Sequence, residues 1–316
     1  MQLTPEIVKR LELLNDKYAV LGQDLSSYLD GLLYAEVTTY WDYIELETLL
    51  SLQKPKTSFP DEKVFIIYHQ ITELYFKMAL NEFEQLGKNL KIDATFFVDR
   101  VTRINRYFEA LIKSFEIMVS GMERDQFLKF RMSLLPASGF QSAQYREIEF
   151  YSTDLINLLA KEKKEAMKME TDTHKLFDHL YWKEGATEEL SGKATLTLTQ
   201  FEQKYKARFI EVANMCKSNN LWQVYLRLPE DDRKSSSVIN ALRTNDLNVN
   251  VSWPLAHYKS AVRYLNKGET DIAATGGTNW QKYLPPRFQK RIFYPALWSA
   301  DEIDNWGKQW VNEMLS

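Results

Sequence analysis

A chain of 316 residues, 45% hydrophobic and 26% charged, is long enough for one large domain or two smaller ones with a sizeable core. A formal net charge of −3 and the lack of any apolar run near bilayer-spanning length argue against nucleic acid or a membrane as the main partner. With Cys216 as the single cysteine, an internal disulfide and a cysteine-based zinc site are excluded, and we expect a cytoplasmic protein.

Helical spacing of apolar residues dominates the sequence, and glycine and proline are scarce. Thr4, Pro5 and Glu6 predict the start of the first helix, with an N-cap, a proline at the first position and an acid in the first turn. Further helical patterns follow over 40–53, 61–90, 96–122, 141–169, 196–216, 232–246 and 253–268. Ser299 begins a capping box for a last helix. We therefore predict an all-α, single-domain helical bundle over 1–316, with a variable helical insertion at about 160–235.

The histidines of the first half of the chain differ in their surroundings. His69 lies in "VFIIYHQITELYF" and shares a helical face with Phe65 and Glu73. A buried, hydrogen-bonded histidine is the common interpretation of such a position, and a functional histidine is the alternative. His174 and His179 are five residues apart in a polar segment, and we interpret them as exposed polar residues.

His257 lies in "WPLAHYKSAVRYL", with Trp253 one turn before it and Ala261 one turn after it. Small and apolar neighbours around a single imidazole are what the face of a haem requires. A buried structural histidine is the alternative. No other histidine is spaced to share a helical face with it, so a motif such as H-E-x-x-H is absent.

Arg131 stands one turn after Phe127 and just before the small-residue patch 136–139, which interrupts the helical pattern. A guanidinium can hold a carboxylate through two hydrogen bonds. A small-residue loop beside it allows a planar ligand to approach the backbone. The alternative is an ion pair between Arg131 and a helical acid, Glu123 or Asp125.

Four segments occur in an order that is more specific than any of them alone: "YWDYIELETLLSLQ", "PDEKVFIIYHQITELYFKMAL", "FLKFRMSLLPASGFQSAQYREIEF" and "WPLAHYKS…ATGG". Together they resemble the tryptophan 2,3-dioxygenase family, over most of the chain and least across 155–245. The resemblance implies an all-α bundle of the tryptophan/indoleamine dioxygenase type, haem b as cofactor and a homotetramer. It also implies cleavage of the indole C2–C3 bond of L-tryptophan by O₂, which gives N-formyl-L-kynurenine and begins tryptophan catabolism by the kynurenine route.

The resemblance also implies a role for individual residues. His257 stands at the axial ligand of the haem iron, His69 at the distal histidine that faces the indole N–H, and Arg131 at the arginine that grips the substrate carboxylate. Further substrate-binding positions implied in this way are Phe65, Phe127, Leu134, Ser138, Gly139 and Thr275, and, from an N-terminal segment (1–55) that reaches a neighbouring subunit, Tyr40, Tyr43 and Ile44.

The glycine loop departs from the usual family pattern G-T-G-G-S-S-G, since Ala274 precedes Thr275 and "TNW" follows the glycines. This difference leaves open an alternative to ring cleavage, a related haem enzyme that oxygenates tryptophan or another indole without opening the ring. A further alternative, of a different class, is a haem-binding helical protein without catalytic activity.

Overall fold

The computed structural model describes residues 3–35, 38–89, 91–134, 139–184, 186, 194–265 and 286–308. Within these ranges the structure is helical throughout and contains no strand, with one isolated antiparallel bridge between Leu159 and Leu180. The predicted all-α fold class is thereby confirmed. None of the described helices is long and apolar enough to cross a membrane. The chain divides into two compact units, Met1–Gln53 and Lys54–Ser316.

The N-terminal unit consists of α1 (Pro5–Val20), α2 (Leu25–Tyr34), α3 (Tyr40–Tyr43) and α4 (Leu46–Leu50). The hydroxyl of Thr4 accepts a hydrogen bond from the N–H of Ile7, which confirms the predicted start of α1. The predicted helix over 40–53 is instead split into α3 and α4, because Glu45 adopts the left-handed conformation with a φ of 51°. None of these four helices contains a buried residue.

The second unit holds α5 (Pro60–Lys88), α6 (Ala94–Ser114), α7 (Glu116–Ser120), α8 (Arg124–Phe130), α9 (Ala143–Ser152), α10 (Lys161–Lys164), α11 (Thr173–Phe177), α12 (Tyr181–Glu184), α13 (Leu196–Cys216), α14 (Leu221–Arg227), α15 (Glu230–Lys234), α16 (Ser236–Leu247), α17 (Trp253–Leu265), α18 (Pro286–Gln289) and α19 (Ala300–Asp304). Turns of 3₁₀ helix occupy Arg131–Leu134, Gly139–Gln141, Leu155–Leu158 and Pro295–Leu297. A π-helical segment, Asn248–Ser252, joins α16 to α17. The capping box predicted at Ser299 is present at the start of α19.

Helices α5 and α6 form the centre of this unit. Pro60 occupies the first turn of α5, and the buried carboxylate of Glu62 accepts the N–H groups of Lys56 and Thr57, each at 2.7 Å. Helix α6 buries one apolar face at helical spacing, namely Phe97, Val101, Ile104, Phe108 and Leu111. Helix α5 packs against α6, α8 and α9, while α16 packs on α6 and α13 packs on α9. These contacts enclose one large core that includes Phe83, Phe130, Phe150 and Phe209.

The long helix predicted over 141–169 ends early, at Ser152, and that part of the prediction is wrong. Thr153 is extended, and the next residues form a 3₁₀ turn before the short helix α10. Tertiary contacts explain the break, since the carboxylate of Asp154 accepts the side-chain amides of Asn220 and Gln223, both at 2.9 Å. The periodicity of apolar residues in the sequence does not reveal a helix end that is caused by contacts with another helix.

Candidate functional site

His69 on α5 and His257 on α17 are held by the same local contact. The Nδ1 atom of each imidazole lies near the carbonyl oxygen four residues earlier, 2.7 Å from Phe65 and 3.2 Å from Trp253. An Nδ1–H that donates to this carbonyl assigns the tautomer in which Nε2 carries the free lone pair. Each ring therefore offers Nε2 to a ligand.

Burial lowers the pKa of His257 to about 4, although the hydrogen bond to the Trp253 carbonyl acts in the opposite direction. The positive charges that His69 and Arg291 can carry lower it further. His257 is therefore neutral at physiological pH, as a metal ligand must be.

Burial also lowers the pKa of His69, with the Phe65 carbonyl and the nearby charge of Glu73 opposing the shift. The residue is nevertheless exposed, so its Nε2 is an accessible, neutral hydrogen-bond acceptor.

Aromatic rings connect the two histidines. The ring centroid of Phe115 lies 4.3 Å from that of His257 and 5.6 Å from that of Tyr68, and the Tyr68 ring lies 6.2 Å from His69. Trp253 meets His257 edge-on at 4.5 Å. The partly buried imidazole of His257 thus has aromatic neighbours on two sides.

A second row of rings begins at His69. Phe65 lies 4.1 Å from the His69 ring and 6.2 Å from Phe127, which in turn lies 4.7 Å from Tyr264 on α17. Phe130 joins this row at 5.7 Å from Phe65. Helices α5, α8 and α17 are therefore joined by a continuous aromatic wall, in which Phe130 and Tyr264 are buried while Phe65 and Phe127 are partly exposed and could contact a flat apolar ligand.

Arg131 directly follows this wall, at the end of α8 and the start of a 3₁₀ turn. Arg131 is 4% exposed, and burial lowers the pKa of its guanidinium. A buried guanidinium is suited to hold a carboxylate on an otherwise apolar ligand. The candidate site thus combines the apolar aromatic wall with the positive charge of Arg131.

A family model described as tryptophan 2,3-dioxygenase matches residues 31–204, which is more than half of the chain. The chain belongs to the tryptophan 2,3-dioxygenase family.

The curated relatives of the chain carry the same name. The tryptophan 2,3-dioxygenase of Bacillus thuringiensis subsp. konkukian is 27% identical over 280 residues, 84% of this chain and 93% of the relative. Other relatives match a shorter stretch of the chain at higher sequence identity. The tryptophan 2,3-dioxygenase 2 of Ralstonia nicotianae is 41% identical over 122 residues, 35% of this chain and 33% of the relative. That of Herpetosiphon aurantiacus is 39% identical over 119 residues, 37% of this chain and 45% of the relative.

The remaining positions that the family resemblance singled out are distributed as follows. Leu134 ends the 3₁₀ turn after Arg131 and packs partly buried against the core, and Gly139 begins the next 3₁₀ turn. Ser138 and Thr275 lie outside the described residues. Tyr40, Tyr43 and Ile44 belong to the N-terminal unit, where Tyr40 and Tyr43 are 70% and 78% exposed.

The start of α9, just after the interrupted segment, is tied to the helix of His69. The side-chain amide of Gln144 donates to the carbonyl and the carboxylate of Glu73, at 2.9 and 2.8 Å. Glu73 lies one helical turn after His69, so this pair fixes the end of the small-residue segment against the histidine's own helix.

Several aromatic residues around the two histidines were not predicted from the sequence: Phe115 and Tyr68, which connect the histidines, and Phe130 and Tyr264 of the aromatic wall. Phe115 is the central one, since it contacts His257 and links it through Tyr68 to His69. It follows α6 and precedes α7, where no periodic pattern distinguishes it from other core aromatics. Only its ring contacts in the folded protein distinguish Phe115 from the other aromatic residues of the core.

The residues present fit a haem. A haem iron in a protein of this kind requires a single neutral axial imidazole and apolar walls, and His257 supplies the first while Phe115 and Trp253 supply part of the second. Among the described residues no group of three or more His, Cys, Asp or Glu is placed to hold a metal ion. One axial ligand makes such a group unnecessary.

Proposed function

We propose that the protein is a haem-dependent dioxygenase that cleaves the indole C2–C3 bond of L-tryptophan with O₂ and releases N-formyl-L-kynurenine. The observation that carries the proposal is the chain of ring contacts through Phe115 and Tyr68 that joins His257 on α17 to His69 on α5. Membership of the family and the names of its relatives support the same reaction.

His257 would hold haem b through Nε2. Its Nδ1–H, directed to the Trp253 carbonyl, keeps the ring in one tautomer and one orientation, which is the usual task of an outer partner of a metal-bound histidine. The haem, when bound, supplies the iron at which O₂ is activated.

His69 would act on the substrate ring. With Nδ1–H donating to Phe65, its Nε2 accepts a hydrogen bond from the indole N–H and holds the ring at a fixed angle. The ring of Phe65, tilted by 35° against the imidazole with 4.1 Å between the ring centroids, restricts rotation of the imidazole. Because the His69 pKa is lowered, the acceptor nitrogen stays unprotonated at neutral pH.

Arg131 would bind the substrate carboxylate, and the aromatic row from Phe65 to Phe127 would line the indole pocket, with Leu134 beside it. Two fixed ends, a carboxylate clamp and an indole N–H acceptor, place the C2–C3 bond in one position. Ser138, Gly139 and Thr275 complete the substrate site in this proposal, on the strength of the family resemblance.

The proposal includes a homotetramer in which Tyr40, Tyr43 and Ile44 enter the pocket of a neighbouring subunit. The support is the N-terminal unit itself, in which α1 to α4 bury none of their residues, so that apolar side chains such as Leu32 and Leu33 are 74% exposed. A surface of this kind is typical of a protein–protein interface. A cytoplasmic location remains a prediction of the sequence.

The test begins with purified protein reconstituted with haemin. We expect a Soret band, and after anaerobic reduction and addition of L-tryptophan and O₂ we expect the absorbance of N-formyl-kynurenine. His257→Ala should abolish the histidine-ligated spectrum, whereas His174→Ala, at an exposed histidine, should leave spectrum and turnover intact.

Two results would contradict the proposal. An unaltered Soret band and iron coordination in His257→Ala would remove the haem assignment. A product that carries one added oxygen, with the indole ring closed, would favour the related oxygenation without ring cleavage.

A further inference from the structure

The π-helical segment Asn248–Ser252 joins α16 to α17 without a break, and α17 carries the proposed haem ligand. The N–H of Trp253 donates to the carbonyl of Asn248, five residues earlier instead of four. Pro254 gives a physical reason, because it has no N–H for the carbonyl of Asn250, and its ring would clash with that carbonyl in an α-helix. Such segments are frequent at functional sites.

The π segment decides where His257 points. One extra residue in a helical turn rotates everything that follows by about 100°, since an α-helix has 3.6 residues per turn. In the rotated position, the His257 ring lies 4.3 Å from Phe115, which follows α6. Reversion of the segment to α-helix would turn the imidazole away from Phe115, whereas the contact of its Nδ1 with the Trp253 carbonyl lies within α17 and would rotate with it.

Asp246, near the end of α16, is fully buried and is the hydrogen-bonding centre beside this segment. Its carboxylate accepts the side-chain amide of Asn250 at 2.7 Å, the N–H groups of Phe293 and Tyr294 at 2.9 and 3.1 Å, and the indole N–H of Trp298 at 3.0 Å. The bond to Asn250 holds the π segment. The other three anchor the chain that follows α18.

A second set of buried amides holds the same stretch against α6. Asn245 donates to the side-chain oxygen of Asn105 at 3.1 Å, and Asn248 donates to its backbone carbonyl at 3.5 Å. The hydroxyl of Tyr294 donates to Asn245 at 3.0 Å. Directional bonds of this kind specify a rotational register that apolar packing alone leaves less defined.

We propose that Asp246 and Asn250 are positioning residues for the proximal histidine: their hydrogen bond keeps the π segment wound and so fixes the rotation at which His257 presents Nε2 to the haem iron. Asp246 acts through Asn250, and Asn250 acts through the π turn, which sets the rotation of α17 relative to Phe115. The inference rests on the proposed function, because it assigns these residues to the orientation of a haem ligand.

The experiment compares two losses at the same carboxylate. Asn250→Ala removes the bond to the π segment, and Trp298→Phe removes a bond outside it and serves as the matched control. For each haemin-reconstituted protein we would measure the ferrous Fe–His stretching band by resonance Raman and the rate of haem transfer to apomyoglobin. We expect a shifted band and about 10-fold faster haem loss in Asn250→Ala. Trp298→Phe should keep the band and rate of the unaltered protein, even where urea stability falls.

The outcomes separate the two proposals. Bands and transfer rates in Asn250→Ala that equal those of Trp298→Phe would overturn the positioning role. If Asn250→Ala does not fold, Asn250→Ser removes the same 2.7 Å bond with a smaller loss of polarity and is judged by the same two measurements. An unaltered protein without any Fe–His band would instead overturn the haem assignment, and this inference with it.

Discussion

At the scale of residues, each of the two histidines has one ring nitrogen available for a ligand. In both imidazoles Nδ1 is engaged by a carbonyl of the same helix, so that Nε2 is the atom left for a ligand. Arg131 contributes the positive charge at the end of the aromatic wall. The chemistry proposed here therefore rests on three nitrogen-bearing side chains whose surroundings are mostly apolar.

Arg131→Ala should weaken the binding of L-tryptophan by about 10- to 100-fold, because a charge-assisted hydrogen bond contributes about 1.5–3 kcal/mol. Binding of tryptamine, which has no carboxylate, should change little. Spectroscopic titration of the haem-loaded protein measures both dissociation constants. Lys129→Ala, at an exposed residue of α8, is the control and should bind both ligands normally. Equal losses for tryptophan and tryptamine would contradict the carboxylate clamp.

The haem-free protein should become less stable as the pH falls through the histidine range. The pKa of His257 is about 4 in the folded protein against 6.5 in an ordinary histidine, so the unfolded chain binds the extra proton first. Stability from this residue is complete above about pH 6.5 and is lost progressively towards pH 4. Urea midpoints at pH 7 and pH 5 measure the effect.

His257→Gln is the control for this pH dependence and should flatten it. The buried Asp246 has the opposite sign, since burial raises its pKa to about 6 and its contribution falls as the pH rises through that value. Because Asp246 is present in both proteins, the difference between them isolates the histidine. An identical pH dependence in both would show that His257 is not held neutral by the fold.

At the scale of elements, a buried ionic cluster joins α9, α12 and the segment after α18. The carboxylate of Glu149 accepts Arg146 at 2.8 Å, Arg291 at 2.9 Å and the hydroxyl of Tyr181 at 2.5 Å. Glu149 is 0% exposed, and the two arginines are nearly as buried. The cluster therefore ties these three elements together through buried charges.

Glu149→Ala should lower the free energy of unfolding by about 3–5 kcal/mol, because it leaves two buried guanidinium groups without their shared anion. Glu84→Ala is the control, since it removes an exposed pair with Lys88 and should cost about 0.5 kcal/mol or less. Urea denaturation followed by circular dichroism measures both. Similar costs for the two variants would mean that the cluster is more hydrated than its burial indicates.

At the scale of the whole molecule, the two compact units differ in how far they bury their apolar side chains. The unit Lys54–Ser316 encloses a large core, whereas the helices of Met1–Gln53 bury none of their residues. Leu32 and Leu33 on α2 are each 74% exposed. Neighbouring aliphatic side chains with that exposure favour assembly with another copy of the chain, in line with the proposed tetramer.

Leu33→Glu should reduce the assembly to smaller species, because a carboxylate placed in an apolar interface must lose its hydration. Light scattering after size-exclusion chromatography measures the mass, and we expect a tetramer for the unaltered protein. Ser26→Glu adds the same charge at an exposed position of the same helix and should leave the mass unchanged. A tetramer that persists in Leu33→Glu would exclude this part of α2 from the interface.

Local sequence signals correctly predicted the all-α class, the start of α1 directly after Thr4 and the capping box of Ser299. These features depend on caps, prolines and helical periodicity, which act within one or two turns of the chain. The resemblance to the family likewise needed only ordered local motifs. The split at Glu45 escaped prediction because a left-handed residue leaves no periodic trace.

The other features of the fold and of the site depend on contacts between residues that are distant in sequence. The break at Thr153 follows from Asp154 being held by α14, and the meeting of His69 with His257 follows from the packing of separate helices around Phe115. The orientation of His257 also depends on Asp246, whose partners come from the far end of the chain. Contacts between distant residues follow from how the helices pack, so residue spacing alone could indicate the two histidines but not the enclosure that makes them a site.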